Sequence, residues 1–269
     1  MGRGYARKLE KYGLRTMGDI ALCSLGGPED YYNEDLLYKL FGINAELLID
    51  HAWGWESCTL SQIKAYQPAS RSLSSGQVLS CPYSVEKARV IVGEMLDLLA
   101  LDLVEKGLQT DQIVLTIGYD RESLTNPAIS YAGPVVADPY GRAVPKSATG
   151  SADLGGYTSS TRRILERVLQ LFDRITDPSL LVRRVTVAAN HVLSRQLVPQ
   201  DGEGEQLDLF APQQEQEHRR QREQRELRRQ EAVLRIQHKY GKNAILKGMN
   251  FREGATTIAR NGQVGGHKR

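Results

Sequence analysis

Between Val85 and Lys106 the chain carries Ala88, Ile91, Val92, Met95, Leu96, Leu99 and Leu103 at helical spacing. That periodicity predicts a helix, with Ser84 as its N-cap and Gly107 as its stop. A helix so apolar must be covered by a sheet or by other helices, so the flanking segments are read as layers of one domain. Upstream, Arg71 to Leu79 reads as a Ser-rich strand, and downstream Ile113 to Tyr119 reads as a second one. A third strand is expected near Gly156-Tyr157-Thr158. Ser159 or Ser160 then caps a helix that carries Ile164, Leu165, Val168, Leu169, Phe172 and Ile175. Asp177-Pro178 turns the chain into a last strand, Leu180 to Asn190. Side chains alternate along a strand. Val185, Val187 and Ala189 therefore share one face, and Arg184, Thr186, Ala188 and Asn190 the other.

The order is β-α-β-β-α-β, with both helices on one face of an antiparallel sheet, an α+β class. The other face is left open. Its candidate residues are small, polar or basic: Ser70, Arg71, Ser72, Ser74, Thr116, Thr158, Arg183, Arg184 and Thr186. Such a face suits phosphate contacts by hydroxyls, amides and arginines. It also suits plain solvation, and both readings stay open at this point. From Asp120 to Gly156 runs an insertion rich in Pro and Gly, long for a connection in a compact domain. Arg142 and Lys146 are its basic residues of interest, and a decorated hairpin with no role of its own is the alternative.

Bulk properties exclude some classes. The net charge is only +3, so global charge does not argue for a nucleic-acid partner. Cys23, Cys58 and Cys81 are odd in number and lack metal-type spacing, which suggests a reducing, cytoplasmic setting. No apolar run approaches the ~20 residues that span a bilayer, so no membrane partner is expected. The five histidines form no ligand spacing.

Residues 1–69 read as a helical module. Tyr5 to Tyr12 is a first helix stopped by Gly13, and Thr16 with Asp19 forms a capping box for a second that runs to Leu22. Two more helices hold Leu36, Leu37 and Leu40, then Leu47, Leu48, Ala52 and Trp53. Arg3, Arg7, Lys8 and Lys11 make the start basic. Residues 70–193 form the sheet domain, 194–213 a polar linker and 214–269 a charged helix with a Gly-rich basic tail. Glu215 to Tyr240 reads as an exposed helix, marginal unless docked, with Glu215–Arg219 and Glu231–Arg235 as supporting i,i+4 pairs. The tail from Lys242 is read as partly disordered, with no role derived for it.

Within the linker lies Gln206-Leu207-Asp208-Leu209-Phe210, bracketed by Pro199 and Pro212. Nothing nearby is apolar enough to bury it. Full burial of a Leu or Phe contributes about 1.5–3 kcal/mol. The five residues therefore read either as a tethered peptide ligand or as an apolar turn folding back on the domain. A coil of residues 194 to 205 spans roughly 20 Å.

Three sets of residues resemble one family. Met1-Gly2, Lys8-Leu9, Gly13 and Thr16-Met17-Gly18-Asp19 resemble the helix-hairpin-helix thumb of Y-family, translesion DNA polymerases. Residues 72–77 (Ser-Leu-Ser-Ser-Gly-Gln), 157–161 (Tyr-Thr-Ser-Ser-Thr) and 181–187 (Leu-Val-Arg-Arg-Val-Thr-Val) resemble the little-finger domain of the UmuC-type branch. The pentapeptide is similar to the sliding-clamp-binding motif of bacterial polymerases and repair proteins. The resemblance covers nearly the whole chain.

It implies a DNA-repair role in SOS bypass synthesis, with primer-template DNA and the clamp as partners. Gly2, Arg3, Gly4, Arg7 and Lys8 would meet phosphate at the hairpin. Arg71, Ser72, Ser74, Thr158, Arg183, Arg184 and Thr186 would meet it on the sheet. Gln206 would bond the rim of the clamp pocket, and Leu209 and Phe210 would fill it, with Leu207 and Asp208 between. The family's palm and fingers, with their metal-holding carboxylates, would lie upstream of Met1. The chain alone is therefore expected to be inactive and to carry no cofactor, Mg2+ belonging to the palm. Pairing with a separate palm and fingers chain, or action as a regulator that occupies clamp and DNA, are the alternatives.

Overall fold

Backbone satisfaction at the helix ends organises the first unit. The computed structural model describes residues 2–66, 72–198, 213–264 and 267–268, and of 213–220, 264, 267 and 268 the backbone alone. The chain divides into two units, Met1–Pro68 and Ala69–Arg269. In the first, α1 (Arg3–Glu10) is terminated at Gly13, whose φ of 76° is a left-handed conformation that glycine adopts without strain. The capping box forms at α2 (Met17–Cys23): the Asp19 N–H donates to Thr16 Oγ1 at 3.1 Å, and the Thr16 N–H donates back to Asp19 at 2.8 Å. The Arg15 N–H, also at 2.8 Å, and the Thr16 N–H hold the Asp19 carboxyl below its ordinary pKa. Asn33 caps α3 (Glu34–Phe41), and α4 is Asn44–Ala52. Leu9, Ile20, Leu37, Phe41 and Leu48 pack into one core, with Tyr5 stacked on Phe41 at 4.5 Å between ring centres. A fifth helix, α5 (Leu60–Ala65), was not expected and buries none of its residues.

The second unit is built on one sheet. Its first strand, β1 (Leu73–Tyr83), starts later and runs further than the expected Arg71 to Leu79. The apolar helix is α6 (Val85–Glu105), with Ser84 accepting from the Lys87 N–H. β2 (Leu108–Tyr119) begins directly after Gly107 rather than at Ile113. The insertion is shorter than expected. It contains α7 (Glu122–Thr125) and a hairpin of β3 (Val135–Ala137) and β4 (Ala143–Pro145), and it ends where β5 (Ala148–Thr158) begins. Asp138 closes the hairpin, accepting from the Tyr140 and Arg142 backbone and ion-paired with Arg142 at 2.6 Å. Then follow α8 (Thr161–Ile175), capped by Ser160, β6 (Val182–Asn190) and the short β7 (Leu193–Ser194).

The main sheet has the order β1-β6-β2-β5, antiparallel throughout, with β7 beside the start of β2. Ile91, Leu96, Ile113, Leu115, Phe172 and Val187 are fully buried between this sheet and α6 with α8. At about 1.5–3 kcal/mol per side chain, this layer is the main source of cohesion in the unit.

The C-terminal region joins this unit. α9 (Gln213–Tyr240) is docked rather than free-standing. Its Glu226 accepts from the Ser160 hydroxyl at 2.5 Å and the Arg162 N–H at 2.9 Å, which caps the start of α8 from outside. Gln230 is buried and donates to Ser159 O and Thr161 Oγ1, both at 2.9 Å. The expected Glu231–Arg235 pair does not form, since Glu231 faces Arg195 at 3.9 Å. The Glu215–Arg219 side chains lie outside the described residues. Beyond Gly241, a short 3-10 helix (Gly248–Phe251) and α10 (Thr257–Asn261) fold back onto α6 and β1.

Candidate nucleic-acid interface

The face of the sheet away from α6 and α8 is made by register. β1, β6, β2 and β5 align Ser74, Ala188, Val114 and Ser151 in one row across the sheet. The next row is Gly76, Thr186, Thr116 and Thr149, and the next is Val78, Arg184 and Gly118. Thr116 and Thr149 share a hydrogen bond at 3.1 Å between their hydroxyls. At the far end Asn190 donates to Gln112 at 3.1 Å. The centre of the face is therefore flat and neutral, carrying hydroxyls, methyls and bare backbone.

Arg184 is exposed at one end of this face and stands directly opposite Gly118. A Cβ at position 118 would come within 3.1 Å of the Arg184 Cβ, so the glycine makes room for the arginine. The alternation breaks just before Arg184. Gly118 pairs with Arg184 and Tyr119 with Val182, which leaves Arg183 as the extra residue of a bulge. Its guanidinium lies 3.6 Å from Asp120, so part of its charge is offset. Tyr119, next to the bulge, is buried and accepts from the Asp177 N–H at 2.9 Å; burial pushes its phenol pKa up.

The sheet thus brings together Ser74, Thr116, Arg184 and Thr186 from the expected set, and Ser72 is exposed just before β1. Thr158 is corrected. It is 2% exposed, and its hydroxyl accepts from the Ser160 N–H at 3.0 Å, so it shapes the entry to α8 and is closed to any ligand. Ser70 and Arg71 lie outside the described residues, as do Gln206, Leu207, Asp208, Leu209 and Phe210. Thr149 and Ser151 were missed because β5 is rich in small residues, and its only apolar alternation is Ala152 with Leu154.

In the first unit, Gly2 is the N-cap residue of α1 and Gly4 lies in its first turn, with open space where a Cβ would be. Arg3 and Arg7 are exposed. Lys8 is also exposed; its ammonium donates to Leu40 O at 3.1 Å and sits 5.6 Å from the Phe41 ring centre. Among the described residues no three His, Cys, Asp or Glu side chains are grouped to hold a metal ion. No helix among them is long and apolar enough to cross a membrane.

An antiparallel sheet with two helices on one face and an open, hydroxyl-lined face on the other defines the class, and comparison with known proteins gives the family. The impB/mucB/samB family C-terminal domain matches residues 70–209, and the chain belongs to that family. This bears out the resemblance to the C-terminal portion of UmuC-type, Y-family polymerases. The chain is 27% identical over 272 aligned positions to the "Putative UV-damage repair protein UvrX" of Bacillus subtilis (strain 168). That alignment covers 100% of this chain and 53% of UvrX, so the chain spans about half the length of this relative. Among solved structures, a Y-family DNA polymerase chimera aligns with a TM-score of 0.39 and 14% identity, over 72% of this chain and 45% of the chimera.

Proposed function

We propose that this chain is the substrate-holding portion of a UmuC-type translesion polymerase acting in DNA repair. In this reading the open sheet face lies against the sugar-phosphate backbone of primer-template duplex. The observation that supports it most is the pair of central rows: Ser74, Thr116, Thr149, Ser151 and Thr186 offer hydroxyls without bulk, and Arg184, exposed at their end, adds a positive charge. Hydroxyl and arginine contacts to phosphate fix position without reading sequence. Small side chains let a duplex backbone approach the strands closely. The absence of aromatic rings from these rows favours duplex over single strands, which are held by stacking. The hairpin of Gly2, Arg3, Gly4 and Arg7 would add a second phosphate contact, and Gln206 to Phe210 would bind a sliding clamp. Two modest grips on one assembly reinforce each other through effective concentration.

Fluorescence anisotropy with a labelled primer-template tests this. A Thr116→Glu, Thr186→Glu double variant should weaken binding about tenfold or more, because like charges then face phosphate. The two positions are cross-strand partners, so the facing carboxylates should also lower the melting temperature, and a cooperative melt confirms that the variant is folded. Unchanged affinity would remove the sheet face from the binding site.

A further inference from the structure

On the helical side of the second unit, α9 and the tail leave an open groove of about 1400 Å3 over α6. Its floor is aliphatic: Leu98, Leu165, Val233, Ile245, Leu246 and Met249 line it, each half-buried. No aromatic ring is among the lining residues. One wall carries Arg222, Arg225 and Arg229, spaced i, i+3, i+7 and so stacked in a stripe along α9 beside Glu226. All three are exposed, and none makes an ion pair or side-chain hydrogen bond among the described residues.

The acids that line the same groove are already engaged. Asp97 pairs with Lys247 at 2.5 Å, Asp102 with Lys106 at 2.7 Å and Glu105 with His238 at 2.7 Å. Glu226 caps α8, and Glu94 is bound by the tail. The lining holds eight Lys and Arg side chains against five Asp and Glu, so its balance is positive, with the Arg222, Arg225 and Arg229 stripe beside the apolar floor.

We propose that this groove docks an acidic amphipathic segment of a partner protein. Its apolar side chains enter the floor, and its carboxylates meet Arg222, Arg225 and Arg229. Guanidinium groups bind carboxylates in a two-bond fork, so a stripe of three sets orientation as well as charge. A helix laid in an apolar groove is a recurrent way to recognise a peptide, and a Met in the floor lets it adapt to its occupant. A single nucleic-acid strand fits the chemistry less well. Such strands are held by aromatic stacking under a basic track, and here the floor is aliphatic. The groove reaches the β1 edge at Ser74, but its arginine stripe and aliphatic floor lie off the sheet face, and the proposal does not depend on that face binding DNA.

A phage-displayed random-peptide library panned on the full chain, and counter-panned on an Arg225→Glu, Arg229→Glu variant, tests the proposal. The expected result is enrichment of peptides with apolar residues at i, i+3, i+4 and with Asp or Glu between them. A synthetic, fluorescein-labelled copy should lose about tenfold or more in affinity for the variant, and also at high salt. Met249→Lys should weaken it as well, through the floor. Circular dichroism and melting show whether the charge-reversed chain folds; if it does not, Arg225→Gln, Arg229→Gln takes its place. Failure to enrich acidic, apolar peptides overturns the proposal, and so does equal binding to parent and variant. If labelled oligothymidylate binds instead and shows the same loss in the variant, the groove is a nucleic-acid site and the proposal falls.

Discussion

The carboxyl group of Glu94 accepts the backbone N–H of Thr256 at 2.8 Å, joining residues 162 positions apart. Glu94 is 1% exposed and lies on the most apolar helix of the chain. It also accepts from the Asn250 amide at 2.8 Å and the Thr257 N–H at 3.3 Å. Gln77 extends the junction, accepting from Arg260 and donating to Thr256. A buried acid on α6 is tolerable only because the tail supplies these donors.

Replacing Glu94 with Leu should therefore release the tail. The Asn250 amide and two backbone N–H groups would lose their acceptor together, a cost of about 3–5 kcal/mol. Glu94→Gln keeps the size and one acceptor and should cost about 1–2 kcal/mol. Urea unfolding gives the stability change, and faster hydrogen exchange at Thr256 and Thr257 would place it at this junction. An unchanged exchange rate there would mean that the tail is held by something else.

Arg184 is the exposed charge that Gly118 leaves room for. Arg184→Ala should weaken primer-template binding by a similar factor for any sequence, since a phosphate contact carries no base information. It should also reduce the salt slope of the binding constant by about one. Titrations at several salt concentrations check this. An unchanged slope would show that Arg184 does not meet phosphate.

The Arg89–Asp173 pair ties α6 to α8 through two hydrogen bonds of 2.8 and 3.0 Å. The guanidinium holds the Asp173 carboxyl below its ordinary pKa. A depressed carboxylate stabilises the fold at pH above its unfolded value, and that contribution is lost as pH falls through the folded value. Both side chains are about half exposed, so the effect is small, about 0.2–1 kcal/mol. Asp173→Asn should be less stable than the parent near neutrality. The gap should close as pH drops below the usual aspartate range, measured by urea unfolding across pH. A gap that persists at low pH would point to packing rather than charge.

Clamp binding, as proposed, rests on the apolar end of the pentapeptide. Leu209→Ala, Phe210→Ala should abolish co-precipitation with a sliding clamp while leaving duplex affinity unchanged. Retention of the clamp by the double variant would end that part of the reading.

Helix starts were legible because a cap acts within one turn. Thr16, Ser84 and Ser160 each accept from the amide three residues ahead, and Asp19 reaches back to the Thr16 amide, so spacing finds them. The faces of β6 were legible for a similar reason: Val185, Val187 and Ala189 alternate with Thr186 and Ala188. β5 was not. Its run of Ala, Thr, Gly and Ser has little apolar alternation, and it is a strand because the edge of β2 pairs with it from Gln112 to Ile117. Thr158 does end β5, as expected, but its side chain is buried and its hydroxyl is spent on the turn into α8, so it is not on the open face.

By itself, then, the chain's local order determined its longer helices and their caps, which residues of β6 face the core, and the α+β class. Tertiary structure alone decided that β5 reaches back to Ala148, that Arg183 is set aside by a bulge, and that the tail closes on Glu94. The reason is range. Periodicity and capping act between neighbours within a few residues, whereas an unpaired strand edge or a buried acceptor is satisfied by whichever distant segment the fold brings to it.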